Sequence, residues 1–144
     1  MTIEEIQQEI IDDFSAYDDW MDKYSYLIEL GNELTDIDPK YKIDENLIRG
    51  CQSRVWFHQE FVDGKIVFEA ESDALIVKGL VALLLKVYSG RTPKEILAAD
   101  AHFIDDIGLR QHLSPTRSNG LLSMVKQIKL YALAYEKISE QKTE

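Results

Sequence analysis

The chain has 144 residues, 45% of them hydrophobic and 29% charged, with a single cysteine and a net charge of −10. A chain of this length can bury a core without disulfide or metal staples. One cysteine excludes an intramolecular disulfide and any zinc or iron–sulfur site built only from this chain's thiolates. The negative charge disfavours a nucleic-acid partner, because phosphates would be repelled. It is unevenly placed: Met1–Glu45 carries 14 acidic and 3 basic residues, the remainder 12 and 13. The acidic part reads as a solvated helical surface, which can also steer a basic partner.

The pattern Thr2-x-x-Glu5 is a capping box, and Ile3, Ile6, Ile10 and Phe14 recur at helical spacing, so a helix is predicted over Ile3–Ser15. Asp18 is placed as the cap of a second helix that buries Trp20, Tyr24, Leu27 and Ile28. Gly31 or Asn32 is expected to end it in a left-handed conformation. Asp36–Glu45, with Pro39 in its middle, reads as a polar connection.

Between Leu47 and Asp73 the period changes to two. Arg54–Val62 and Lys65–Ser72 flank Asp63-Gly64, a strong two-residue hairpin signal. Pairing Val62 with Lys65 puts Val55, Phe57 and Phe61 on one face with Ile66, Phe68 and Ala70. Trp56, His58, Glu60, Glu69 and Glu71 fall on the other, which is expected to be left uncovered. Leu47–Arg49 is read as a short third strand, and His58 is placed opposite Glu69.

Asp73 is placed as the cap of an apolar helix, Ala74–Ser89, with a narrow polar stripe at Lys78 and Lys86. Thr92-Pro93-Lys94-Glu95 opens a short helix by capping box and proline at the first turn. Another short helix is predicted over His102–Gly108. Ser114-Pro115 opens a long last helix with a buried stripe of Leu121, Met124, Val125, Ile128, Tyr131, Tyr135 and Ile138. The result is a single α+β domain over residues 1–144: a small antiparallel sheet, hairpin plus short third strand, packed on one face by helices. The N-terminus lacks the basic and apolar regions of an export signal. The apolar stretch Ala74–Tyr88 is too short to span a bilayer. A cytoplasmic protein with a free thiol and no membrane association is expected.

Cys51 lies in Arg49-Gly50-Cys51-Gln52-Ser53-Arg54. Gly50 permits a tight turn. Arg49 and Arg54 bring two positive charges that favour thiolate, the nucleophilic form. Gln52 and Ser53 can hydrogen-bond an anionic sulfur. Three uses of the thiol stand open on these residues: a reactive sulfur, a cysteine hydrolase paired with a histidine such as His112, and an inert core residue in an adaptor. No pair among His58, His102 and His112 has helix-face metal spacing, and no phosphate-binding glycine loop is present, so no metal or cofactor site is assigned.

The run Gly50-Cys51-Gln52-Ser53-Arg54-Val55-Trp56 resembles the signature of the SufE family of sulfur acceptors (SufE and CsdE). Three further blocks resemble the family in order and spacing: Trp20 to Gly31, Ser72 to Leu80, and Gln111 to Leu121. The resemblance implies a compact α+β fold with Cys51 as the acceptor cysteine on a loop at one end of the sheet. It implies a SufS-like cysteine desulfurase as partner, carrying its own pyridoxal phosphate, and a SufBCD-like cluster scaffold as recipient. Arg117 and His112 match the family's loop near the active cysteine. A carrier persulfide needs shielding from reductants. Cys51 is therefore expected to be partly buried in a pocket of Leu47, Ile48, Val55 and Trp56, with burial outweighing the arginines.

Overall fold

A computed structural model of the protein describes residues 1–143, with side chains described through residue 138. The chain order is α1 (Ile3–Ser15), α2 (Trp20–Asn32), two 3₁₀ turns (Pro39–Tyr41 and Asp44–Asn46), β1 (Val55–Val62), β2 (Lys65–Ser72), α3 (Leu75–Tyr88), α4 (Pro93–Ala98), α5 (Phe103–Asp106), α6 (Leu109–His112) and α7 (Pro115–Thr143). The fold is α+β, with helices on one face of a two-stranded antiparallel sheet. Among the described residues, no helix is long and apolar enough to cross a membrane.

The capping box at Thr2 and Glu5 is formed and starts α1 at the predicted residue. The hairpin register is also as predicted, from Val62 opposite Lys65 to Val55 opposite Ser72. Asp63 and Gly64 both have positive φ, the requirement of a two-residue turn whose twist matches its strands. Val55, Phe57, Ile66, Phe68 and Ala70 are accordingly buried on one face. They pack in one core with Leu80, Leu84, Leu121 and Ile128 of α3 and α7. Each of these side chains larger than alanine stabilises the fold by roughly 1.5–3 kcal/mol through apolar burial.

Several local expectations are corrected. The cap of α2 is Asp19, whose carboxylate accepts the Asp22 N–H at 2.9 Å, not Asp18. Neither Gly31 nor Asn32 is a left-handed terminator of α2. Gly31 lies in the helix against α3, where a Cβ would stand 2.7 Å from the Gly79 nitrogen. Asp73 does not cap α3; its carboxylate accepts the Arg54 N–H at 3.1 Å. The third strand shrinks to one antiparallel bridge, Leu47 with Trp56, so the sheet is a hairpin only.

The outer sheet face is not left bare. The 37–47 connection folds over it. Tyr41 stacks on His58 with ring centroids 3.6 Å apart, and Lys42 sits over Trp56 and pairs with Glu71 at 2.7 Å. His58 stands opposite Glu69 as predicted, while its ring bonds Glu60 at 3.2 Å. The predicted short helix at His102–Gly108 forms as α5, and a left-handed Gly108 separates it from a further short helix, α6, not expected from the sequence. On α7 the buried stripe ends before Ile138, which is exposed. Lys129 of α7 donates to the carbonyls of Ile96 and Ala99, tying α4 to α7 at the end where a helix leaves carbonyls unpaired.

The crossing of α2 and α3 is the tightest contact between helices. A Cβ at Gly79 would fall 2.2 Å from the Leu27 carbonyl oxygen, a backbone atom that cannot rotate away. Gly79→Ala is expected to cost at least ~2 kcal/mol by forcing the helices apart. Gly90→Ala, at positive φ but facing open space, should cost only about 1 kcal/mol of backbone strain. Urea unfolding of both variants checks this, and equal costs would refute the packing account.

Candidate functional site

Cys51 stands on a short loop entering β1. The loop is tied at both ends. Upstream, Ile48 donates its N–H to the Val55 carbonyl at 2.9 Å. Downstream, Arg54 and Asp73 exchange two bonds: the Arg54 N–H goes to the Asp73 carboxylate, and the Asp73 N–H to the Arg54 carbonyl at 3.3 Å. Between the ties Gly50 takes φ +94°, a conformation other residues resist. A Cβ there would also meet the Ser123 hydroxyl of α7 at 2.4 Å.

The turn aims the Cys51 side chain at the first turns of α7. Its thiol donates to the Gly120 carbonyl at 3.5 Å, a normal length for sulfur. Gly120 keeps this approach free of crowding, because a Cβ there would lie 3.3 Å from the sulfur, tighter than ordinary contact. The sulfur faces a cavity of about 380 Å³. Its floor is apolar, from Val77 and Leu80 of α3 and Leu121 and Met124 of α7. Its rim is polar, from Gln52, Ser53, Ser114, Thr116 and Arg117.

The thiol is half-buried. Burial pushes its pKa above the ordinary thiol value. Arg49 and Arg54 are exposed, neither lines the cavity, and neither offsets the burial. The expected apolar pocket of Leu47, Ile48, Val55 and Trp56 is not the one formed: residues from α3 and α7 line it instead. Local sequence could not reveal this, since Gly120 is 69 positions from Cys51.

The structure therefore brings Cys51, Gln52, Ser53 and Arg117 together, with Gly50 shaping the turn, and leaves Arg49, Arg54 and His112 outside the cavity. Ser114, Thr116 and Gly120 belong to a block noted in the sequence, but nothing in it marks them as facing sulfur. His112 is occupied elsewhere. Its Nδ1 donates to the Gly108 carbonyl at 2.9 Å, and its ring stacks on Trp20 at 4.1 Å. His58 lies on the outer face of the sheet, and His102 is held between Glu4 and Asp106 at 2.9 and 2.6 Å. None of the three histidines lines the cavity, which removes the base that a cysteine hydrolase needs.

The pH dependence of Cys51 alkylation by iodoacetamide should have its midpoint above the ~8.5 of an unperturbed thiol. The folded state keeps this proton to higher pH than the unfolded chain. The thiol's contribution to stability is then whole below the unfolded value and is lost as pH rises through the folded one. Cys51→Ser should remove that alkaline loss in unfolding measured against pH. An alkylation midpoint at or below the ordinary value would contradict the burial.

Residues 8–132 match the SufE family, described as an Fe–S metabolism associated domain. An uncharacterised SufE-like protein of Rhizobium meliloti (strain 1021) is 44% identical over 126 residues, covering 84% of this chain and 90% of that protein. The solution structure of a hypothetical protein from Thermus thermophilus shares the fold, with a TM-score of 0.74 at 18% identity, over 90% of this chain and 94% of that one. By sequence over most of its length, and with its one cysteine on the loop at the end of the hairpin, the chain belongs to the SufE family and so to iron–sulfur metabolism.

Proposed function

We propose that the chain is a sulfur acceptor that takes a sulfur atom onto Cys51 and passes it toward iron–sulfur cluster assembly. The donor is a pyridoxal-phosphate-dependent cysteine desulfurase of the SufS type, and the recipient a SufBCD-like scaffold. The observation that carries this proposal is a lone, half-buried thiol facing its own cavity in a chain with no second cysteine.

The chemistry is thiol–persulfide exchange. The Cys51 thiolate attacks the outer sulfur of the desulfurase persulfide. A new S–S bond forms at Cys51, the old one breaks, and the desulfurase cysteine leaves as thiolate. No external oxidant or reductant is consumed. The desulfurase is returned ready for another turnover, which is how an acceptor stimulates it. A second thiol in this chain would attack the carried persulfide, close a disulfide and release sulfide. A single cysteine avoids that loss. The cavity gives the outer sulfur a place out of bulk water, with Gln52, Ser53 and Arg117 able to meet its negative charge. The chain needs no cofactor of its own for this step, and a free thiol carrier suits a reducing cytoplasm.

In the free protein the raised pKa and the contact with Gly120 keep the thiol sluggish. A partner that binds the loop more tightly in an outward position shifts it toward exposure. The docking face then surrounds the cavity mouth, with the Gly50–Arg54 loop and Arg117–Asn119.

Cys51→Ser should keep the circular dichroism of the parent, gain no sulfur by mass spectrometry after treatment with a desulfurase and cysteine, and fail to stimulate turnover. Stimulation that survives this change would rule out the carrier chemistry. Wild-type protein that gains no sulfur would favour an inert thiol in an adaptor. Charge reversal at Arg117, Arg49 or Arg54 should weaken desulfurase binding in titration calorimetry more than reversal at the exposed Lys137 of α7. Equal losses at both places would put the docking face elsewhere.

A further inference from the structure

The cavity wall opposite Cys51 is the start of α7, and its position is set by the residues just before it. His112 ends α6, and Leu113, buried, is the only residue between it and Ser114. Ser114 opens α7, with its hydroxyl accepting the Arg117 N–H at 3.2 Å and its carbonyl the Ser118 N–H at 2.9 Å. Ser114, Thr116 and Arg117 form the rim, and Gly120, one turn on, receives the thiol. A shift of His112 therefore moves the wall.

His112 is held from α2. The Trp20 indole lies parallel to the imidazole, with centroids 4.1 Å and planes 13° apart. The Tyr24 hydroxyl donates to the His112 carbonyl, one of the carbonyls a short helix leaves unpaired at its end. Trp20 and Tyr24 stand four positions apart, on one face of α2. The ring's other attachment, Nδ1 to the Gly108 carbonyl, fixes its plane for stacking. Both ring and main chain of His112 are thus engaged, while its side chain stays outside the cavity. That arrangement suits a fixing point, not an acid or base.

We infer that Trp20 and Tyr24 are positioning residues for Cys51, acting through His112 to hold the α7 wall against the thiol. The inference borrows from the sulfur-acceptor proposal only the identity of the reaction served. Loosening the hold opens the wall, exposes the sulfur and lets its proton leave more readily.

The test uses the full chain and iodoacetamide, with Tyr24→Phe set against Tyr26→Phe. Tyr26 lies on the same helix, but its hydroxyl contacts Asp13 of α1 at 3.3 Å. Tyr24→Phe should speed Cys51 alkylation about fivefold, the factor one net hydrogen bond is worth in an opening equilibrium. It should also move the pH midpoint down toward the ordinary thiol value. Tyr26→Phe should do neither, even if it lowers the melting temperature as much. Trp20→Leu should behave as Tyr24→Phe, and Trp20→Phe, which keeps a stacking ring, should restore the parent rate and midpoint. Equal rates in the two tyrosine variants, or an unmoved midpoint in Tyr24→Phe, would overturn the inference. Because no desulfurase enters this assay, the result is independent of sulfur acceptance. A separate loading reaction that yields no persulfide in any variant would defeat the functional proposal and leave the positioning role standing.

Discussion

Contact between the Gly50–Cys51 loop and the first turns of α7 is made close to the main chain, and two missing side chains leave room for it. At Gly50 the backbone needs a positive φ, and Ser123 occupies the space a Cβ would take. At Gly120 the sulfur would crowd a Cβ at 3.3 Å. A helix normally presents side chains to its neighbours. Here it presents a carbonyl oxygen to a thiol. The pairing brings the Cys51 sulfur close to two helices, so the apolar floor of the cavity comes from α3 and α7 and not from residues beside the cysteine.

The remaining architecture brings those two stretches of chain together. The Asp63-Gly64 turn sets the hairpin register, and a slip of one residue would exchange its faces. With the register set, Phe57, Ile66 and Phe68 bury against α3 and α7, which fixes both helices relative to the end of β1 from which the loop departs. The Gly31–Gly79 crossing presses α2 onto α3, and α2 carries Trp20 and Tyr24 to the far end of the cavity wall. The acidic first third of the chain therefore does more than cover the surface, since its second helix helps set the position of α7.

Features determined within a few residues are legible in the sequence. The capping boxes at Thr2 and Thr92, the hairpin turn and its register, and the start of α7 after Ser114 each follow from side-chain chemistry acting within one turn. Features that need a distant partner are not. Gly31 reads as a helix end because its neighbour Gly79 lies 48 positions away. Asp73 resembles a helix cap until the loop supplies the Arg54 amide as a better-placed donor. The outer sheet face looks bare because Lys42 and Tyr41, which cover it, lie in a segment without hydrophobic period. At the site, Cys51, its turn and Arg117 are recognisable, whereas the apolar residues lining the cavity from α3 and α7 are not.

The two ties around the cysteine loop also limit how far it can travel. Ile48 is bonded to Val55 and Arg54 to Asp73, so Cys51 lies three residues from either anchor. Even with the chain between them drawn out straight, the Cα of Cys51 cannot stray more than ~10 Å from the mouth of the hairpin. That is the reach of a fingertip and not of a swinging arm. Any protein that exchanges an atom with Cys51 must bring its own reactive group down to the surface of this one, body against body.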